Sequence, residues 1–332
     1  MQVLIVTEGS SDIGYGHVTR CTSFYQAFEE AGYRPTFVVD GDESIKRLLA
    51  GMSHLLLNWT ANEESLIKKI DASDIVFVDS YLANRQLYAK IANNARLAIY
   101  YDDNNRLNYP TGIVVNGALY AGELDYPRNS DVEYLLGPKY MPLRRDFWIV
   151  SPIEIADRIE SMLITFGGSD SRNLTSRILE LATKKYPRLT KNVVIGDGFR
   201  HTREIELLAD RKTNLICQPD AGGMRDLMLM SDLAISACGQ TIQELARVGL
   251  PTVAIAAAQN QLNNARSWTK VGFIKYAGSW DDRSLDEKIQ KCVGLLDDAG
   301  KRNRISRIGR EVVAGNGARM VVDFIDKRLR ET

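Results

Sequence analysis

The chain has 332 residues, and its 42 Lys and Arg balance 42 Asp and Glu, so its formal net charge is zero and a nucleic-acid partner gains no electrostatic support. Apolar content of 45% and charged content of 25% are those of a globular protein long enough for two domains; no apolar run approaches the roughly 18 residues of a spanning helix, so no stable membrane association is expected. Cys21, Cys217, Cys238 and Cys292 are scattered without a C-x-x-C pair, which argues against zinc and fits a reducing cytoplasm, and Met1-Gln2 leads straight into a strand with no basic n-region, so no signal peptide is expected.

The first half alternates short β-rich runs with helical patterns. Strands are expected at 3–7, 36–40, 54–57, 75–79, 98–102 and 113–116. Helices are expected at 18–30, 44–50, 63–71 and 83–93. In the first helix Phe24, Ala27, Phe28 and Ala31 recur at i, i+3, i+4 and i+7, and Gly32 suits a left-handed residue just past its end. Such alternation implies βαβ units and a parallel sheet. From 120 to 152 the pattern breaks at Pro127, Pro138, Pro142 and Pro152. Residues 143–157 read as the passage between domains.

The alternation then restarts. Strands are expected at 162–166, 193–195, 215–217, 233–236 and 252–255. Helices are expected at 174–184, 202–209, 224–230, 241–248, 261–271, 285–296, 306–313 and 318–328.

Three strand-to-helix turns carry candidate chemistry. The first runs from Glu8 to Cys21 and holds His17 where a helix begins. The positive end of the helix dipole favours the neutral ring that a general base needs. Gly14 and Gly16 let backbone approach a bound group closely. The alternative is a surface histidine in a flexible loop. The second turn, Gly167-Gly168-Ser169-Asp170, offers backbone N–H groups to an anion, unless it is an ordinary tight turn. The third, Ser236-Ala237-Cys238-Gly239-Gln240-Thr241, offers the amides of Gly239, Gln240 and Thr241 to phosphate oxygens. Glu244, one turn on, would accept from ribose hydroxyls or be a solvated helix residue. Neither of the last two is a Walker loop or a G-x-G-x-x-G fingerprint, so ATP hydrolysis and NAD chemistry are not expected. Asp79, Asp102 and Asp103 end strands near the first turn, with capping the better expectation for Asp103. Tyr81 would point into the same crevice or pack on its rim. Asn260-Gln261 would bind substrate or cap a helix. Cys238 reads as a small packing residue. Three widely separated histidines give metal ligation no support.

Together these pieces resemble the PseG/SpsG family. The resemblance rests on Gly14-x-Gly16-His17-x-x-Arg20-Cys21, Asp79-Ser80-Tyr81, Asp102-Asp103 and Leu135-Leu136-Gly137-Pro138-Lys139-Tyr140 with Leu143-Arg144 and Phe147. It continues through Ile164-Thr165-Phe166-Gly167-Gly168-Ser169-Asp170, the 236–244 loop and Asn260-Gln261, in family order over almost the whole chain. The glycine turns are shared with glycosyltransferases of the MurG type. The best-known member of the family hydrolyses UDP-2,4-diacetamido-2,4,6-trideoxy-β-L-altropyranose in pseudaminic acid biosynthesis.

The resemblance implies an α/β, GT-B-like architecture: two Rossmann-like domains facing across a cleft, here 1–147 and 158–317. A helix at about 318–332 would pack back on the first domain. It implies that UDP binds mainly to the second domain, that no metal or other cofactor is required, and that His17 is the water-activating base. The expected substrate-binding residues are Gly14, Tyr15, Gly16, Arg20, Asp79, Tyr81, Arg144, Asn260 and Gln261. The expected nucleotide-binding residues are Gly167, Gly168, Ser169, Ile195, Cys238, Gly239, Gln240, Thr241 and Glu244. Cys238 stands where the family often has Gly or Ser. The expected function is hydrolysis of a UDP-linked amino or deoxy sugar to UDP and free sugar by a cytoplasmic enzyme. The alternatives are an inverting glycosyltransferase, for which the apolar and basic stretch 44–59 would be an acceptor patch rather than core, and a non-catalytic UDP-sugar-binding protein.

Overall fold

The computed structural model describes residues 1–10, 13–71, 74–127 and 129–331. Ser11 and Asp12 of the first glycine-rich turn, and Thr332 of the expected terminal helix, lie outside the described residues. The chain divides into two units: Met1–Arg145 with the chain from Gly315 onward, and Asp146–Ala314.

The first unit runs β1 (Gln2–Gly9), α1 (Gly16–Glu30), β2 (Arg34–Gly41), β3 (His54–Leu56), α2 (Glu63–Ile67), β4 (Ile75–Asp79), α3 (Arg85–Asn94), β5 (Leu97–Tyr101), β6 (Gly112–Asn116) and β7 (Val132–Leu136). They form one seven-stranded sheet ordered β3-β2-β1-β4-β5-β6-β7, parallel throughout. The central strands β1 and β4 are apolar runs buried almost end to end, as strands covered on both faces must be. On one face Leu4, Val6, Val76 and Val78 pack with Tyr88, Tyr100 and Trp59. On α1, Phe24 and Phe28 are fully buried, and the Phe24 ring lies 4.4 Å from that of Phe77. Ala31, the i+7 member of that pattern, is exposed, because the helix has ended. Gly32 closes it at φ 82°, with its own N–H on the Glu29 carbonyl and the Tyr33 N–H on that of Phe28.

The second unit runs β8 (Ser161–Thr165), α4 (Leu174–Lys185), β9 (Thr190–Ile195), α5 (Thr202–Leu208), β10 (Thr213–Cys217), α6 (Ala221–Leu229), β11 (Leu233–Ala237), α7 (Thr241–Val248), β12 (Thr252–Ala256), α8 (Leu262–Val271), β13 (Ile274–Ser279), α9 (Leu285–Leu295) and α10 (Ala299–Val312). Its sheet has six parallel strands ordered β10-β9-β8-β11-β12-β13. The last helix, α11 (Gly317–Glu331), packs on α1 in the first unit. Arg319 makes a bidentate pair with Glu30 at 2.7 and 2.6 Å, and Arg328 pairs with Glu133 at 2.6 Å.

Several expectations shift. Strand β7 lies inside the stretch read as irregular, and β13 was not expected. Both are half-buried sheet edges; β13 also carries a bulge at Ala277, so neither shows a continuous apolar run. Residues 44–50 form only a 3-10 turn, Glu43–Lys46, with Ile45 and Leu49 buried, so that apolar side is core. Helix α6 starts at Ala221 because Asp220 caps Gly223, and α10 starts at Ala299 because Asp298 caps Lys301. Asp146 and Phe147 go with the second unit, where Arg247 of α7 donates to the carbonyls of Phe147 and Trp148 at 3.0 and 2.7 Å. Residues 315–317 go with the first, because Gly317 presses on Met141 so closely that a Cβ would fall 2.2 Å from its carbonyl oxygen. Among the described residues no helix is long and apolar enough to cross a membrane.

That close approach makes a test of the α11 contact. Gly317→Ala is expected to destabilise the first unit by about 1–3 kcal/mol through overpacking. A denaturant melt compared with wild type measures it, and an unchanged midpoint would contradict the packing.

Candidate active site

In each sheet the strand order reverses direction at one place. In the first it is between β1 and β4, and in the second between β8 and β11. Ligand crevices of parallel α/β sheets lie outside the carboxyl ends of strands at such points. The His17 turn follows β1, the Gly167 turn follows β8, and the Cys238 turn follows β11.

In the first unit the chain leaves β1, forms a bridge between Ser10 and Gly14, and enters α1. Gly14 takes φ 87°, a conformation that strongly favours glycine. Gly16 has open space where a Cβ would stand. His17 is then the second residue of α1, its side chain 18% exposed, and its Nδ1 lies 2.7 Å from Oδ1 of Asp79 at the end of β4. Asp79 is 1% exposed, and one turn along α1 Arg20 is 7% exposed. Arg20 bonds Asp79 through Nε and, at 2.6 Å, through Nη2, and bonds both oxygens of Asp103 through Nη1 at 2.9 and 2.7 Å. The Tyr101 ring lies 4.4 Å from the guanidinium. Tyr81 donates its hydroxyl to Asp103 at 2.7 Å, and its ring meets the imidazole edge-on at 4.5 Å.

Arg20 Nη2 also comes within 3.1 Å of Nδ1, which would ask that nitrogen to accept. The carboxylate is nearer and accepts only, so the neutral ring carries its proton on Nδ1. Nε2 is left as the basic nitrogen. Burial alone would raise the Asp79 pKa, but Arg20 and His17 outweigh it and hold the carboxyl well below the ordinary range. Burial likewise works against the charge of Arg20, and Asp103 and Asp79 more than compensate.

The two neighbouring aspartates exchange the roles expected of them. Asp103 joins the cluster. Asp102 is the turn former, accepting from the N–H groups of Asn104 and Arg106 at 3.2 and 3.3 Å and from the Tyr126 hydroxyl at 2.7 Å. Arg20 and Asp79, expected among the substrate-binding residues, are turned into the protein and hold His17 in place. Tyr15 is 5% exposed, with its hydroxyl on Ser44 at 3.0 Å. Arg144 lies partly buried beside the boundary between the units. Glu8, which the sequence reading passed over, accepts the Tyr81 N–H at 2.6 Å; a carboxylate inside an apolar strand was the available signal.

The two turns of the second unit differ. Gly167 takes φ 83°. A Cβ at Gly196, the residue after Ile195, would fall 2.5 Å from the Gly168 carbonyl oxygen, so the end of β9 is pressed onto this turn. The carboxylate of Asp170 accepts from the N–H groups of Leu174 and Thr175 at 2.9 and 2.7 Å. The start of α4 is therefore occupied by the protein's own anion, and the free helix amides expected after Gly168 are not available there; the turn's own Gly168 and Ser169 remain. Helix α7 has no side-chain cap, and among the described residues the N–H groups of Gly239, Gln240 and Thr241 meet no acceptor. Gln261 Nε2 comes within 3.5 Å of where a Cβ of Gly239 would stand, and Gln261 Oε1 accepts the Ala257 N–H at 2.9 Å. Asn264, also missed from sequence, donates to the Cys238 carbonyl at 3.3 Å. Asn260 is exposed in a 3-10 turn, Gln259–Gln261. Glu244 is 8% exposed, not a solvated helix residue. Cys238 is fully buried, which pushes its thiol up to about 12 and keeps it protonated.

No protein-family model matches the chain. It is similar to an uncharacterized protein of Methanocaldococcus jannaschii, 29% identical over 277 residues, covering 79% of this chain and 56% of that protein. It is similar to the pseudaminic acid cytidylyltransferase and UDP-2,4-diacetamido-2,4,6-trideoxy-beta-L-altropyranose hydrolase of Helicobacter pylori, 24% identical over 280 residues, covering 83% and 48%. It is also similar to the spore coat polysaccharide biosynthesis protein SpsG of Bacillus subtilis, 20% identical over 324 residues, covering 96% and 95%. The chain thus spans about half the length of the first two relatives and nearly all of the third. These relatives, at 20–29% identity, support a PseG/SpsG-like chain.

Among solved structures, a UDP-N-acetylglucosamine 2-epimerase described as putative, from Listeria monocytogenes, aligns at TM-score 0.69 and 12% identity, covering 100% of this chain and 97% of that one. MurG of Acinetobacter baumannii aligns at 0.66 and 15%, covering 98% and 99%. The UDP-GlcNAc 2-epimerase of Neisseria meningitidis, bound to UDP-GlcNAc, aligns at 0.62 and 14%, covering 98% and 100%. With two parallel-sheet α/β units and these likenesses, the fold is GT-B-like.

Replacing Arg20 by Met would leave Asp79 and Asp103 without their shared cation, at an expected cost of about 3–5 kcal/mol in unfolding free energy near neutral pH. The depressed pKa of Asp79 means its stabilisation is complete above the ordinary carboxylate range, near 4, and is lost as pH falls through the lower folded value. The gap between wild type and R20M should therefore narrow on acidification. Urea melts across pH 3–7 measure it, and a gap that widened in acid would contradict the assignment.

Proposed function

We propose that the protein hydrolyses a UDP-linked amino or deoxy sugar to UDP and free sugar. The observation that carries this reading is the pairing of His17 Nδ1 with the buried Asp79 carboxylate, which leaves Nε2 as a base at the partly exposed start of α1. In this reading Nε2 takes a proton from water and the water oxygen attacks the anomeric carbon. The bond from that carbon to the diphosphate oxygen breaks, and UDP leaves with the electron pair. Its charge is met by the N–H groups of Gly239, Gln240 and Thr241, with Gly167, Gly168 and Ser169 as the second cradle. Ile195, Cys238 and Glu244 complete the nucleotide side, and Gly14, Tyr15, Gly16, Tyr81, Arg144, Asn260 and Gln261 the sugar side. The reading is supported by the hydrolase named in the Helicobacter pylori relative and by the UDP-GlcNAc bound in the Neisseria meningitidis neighbour. The sugar proposed on the same ground is 2,4-diacetamido-2,4,6-trideoxy-β-L-altropyranose, the enzyme working in the cytoplasm without a metal.

A second reading, an inverting glycosyltransferase in which His17 deprotonates an acceptor hydroxyl, is favoured by the likeness in fold to MurG. The two separate in oxygen-18 water. Incubation with candidate UDP-sugars should place label in the free sugar and none in UDP. Release only after an acceptor is added would mean the transferase, and UDP binding without turnover would mean a binding protein. His17→Asn should lower kcat by about 10²–10⁴-fold, the usual contribution of a general base, while UDP affinity by calorimetry stays within a few-fold. A variant at near-wild-type rate would remove His17 from the role of base.

A further inference from the structure

Glu8 is the penultimate residue of β1, 2% exposed. Its Oε1 accepts the Tyr81 N–H at 2.6 Å. Ser80 takes the N–H groups of Leu82 and Ala83 on its hydroxyl oxygen at 2.9 and 2.8 Å, which leaves the hydroxyl proton to bond Glu8. Oε2 meets no donor among the described residues. The charged and titratable groups facing Glu8 include His17 from α1, Asp79 from β4, Tyr81 from the following turn and Tyr88 from α3. Burial outweighs His17 and the hydrogen bonds from Ser80 and Tyr81, and raises its carboxyl pKa. The carbonyls of the same turn are held elsewhere, Ser80 and Ala83 by Arg106 at 3.0 and 2.9 Å. Tyr81 is thus tethered at two points, its N–H on Glu8 and its hydroxyl on Asp103. A side chain 38% exposed would otherwise sample several rotamers.

We infer that Glu8 is a positioning residue for His17: its carboxyl holds the turn after β4 so that the Tyr81 ring stays edge-on against the imidazole. The tether is a hydrogen bond to one oxygen and needs no negative charge. Glutamine, neutral and of the same length, can supply that oxygen; leucine cannot, and aspartate is one methylene too short to reach. The link to turnover rests on the hydrolase reading. The link to the position of Tyr81 does not.

The chain has only three histidines, so His-selective isotope labelling of the ligand-free protein isolates the His17 ring signals. Y81L defines the shift caused by losing the neighbouring ring. E8L is expected to move His17 toward the Y81L position, and E8Q to keep it at the wild-type position. With UDP-sugar, E8L should lose about 10–100-fold in kcat with KM within threefold, and E8Q should recover most of that loss. If E8L does not fold by thermal melt, E8D carries the same expectation. His17 signals unmoved in a folded E8L or E8D, or moved equally by E8Q, would overturn the inference. The expected ring shifts in the variants, together with no turnover by the wild-type protein, would overturn the hydrolase reading alone.

Discussion

The guanidinium of Arg20, shared between Asp79 and Asp103, is the interaction on which the first unit's site depends. It ties together a helix, the end of β4 and the loop after β5, elements brought together only by the sheet. Taking three charged groups out of water is costly, and an apolar replacement of similar volume is often as stable or more so. What the network supplies is position. Planar, bidentate contacts admit few arrangements, so Asp79 presents a fixed oxygen to the His17 ring. The imidazole is held by its carboxylate on one side and by the edge of Tyr81 on another, and its remaining nitrogen has a defined direction.

The two units place different groups on the same architecture. Each is a parallel sheet whose order reverses beside its most buried strands, and each reversal presents turns that are followed by helices. In the first unit the turns carry His17, Asp79, Tyr81 and Asp103 in one hydrogen-bonded cluster. In the second they carry mostly backbone N–H groups, which can meet an anion without titrating. The two turns of the second unit are not equivalent, however. Asp170 occupies the amides at the start of α4, so the open helix terminus is that of α7.

The central strands and the helices of both units were legible because burial on both faces leaves continuous apolar runs in parallel strands and a repeat near 3.6 in the helices that cover them. The edges were not. Strand β7 is half-buried and mixes Glu133 and Tyr134 with apolar residues, and β13 carries a bulge. At sheet edges one side of the strand faces water, and the pattern that marks a strand fades. Helix starts at Ala221 and Ala299 were obscured in the same way, since Gly222, Gly223 and a basic run hide the period while Asp220 and Asp298 do the capping.

By itself the sequence determined two βα-alternating units, the glycine turns, and a histidine at the first residues of a helix, because local spacing and turn chemistry decide these. Which aspartate would meet that histidine depended on register across the sheet. Asp102 and Asp103 are adjacent in the chain, yet one forms the turn and the other joins Arg20 and Tyr81, a choice made by the direction in which each side chain leaves the end of β5. The same is true of Glu8, a charge in an apolar strand until Tyr81, 73 positions away, comes to lie against it. Tertiary structure alone decided these contacts, because hydrogen bonds and ion pairs between distant residues exist only once the parallel strands are aligned.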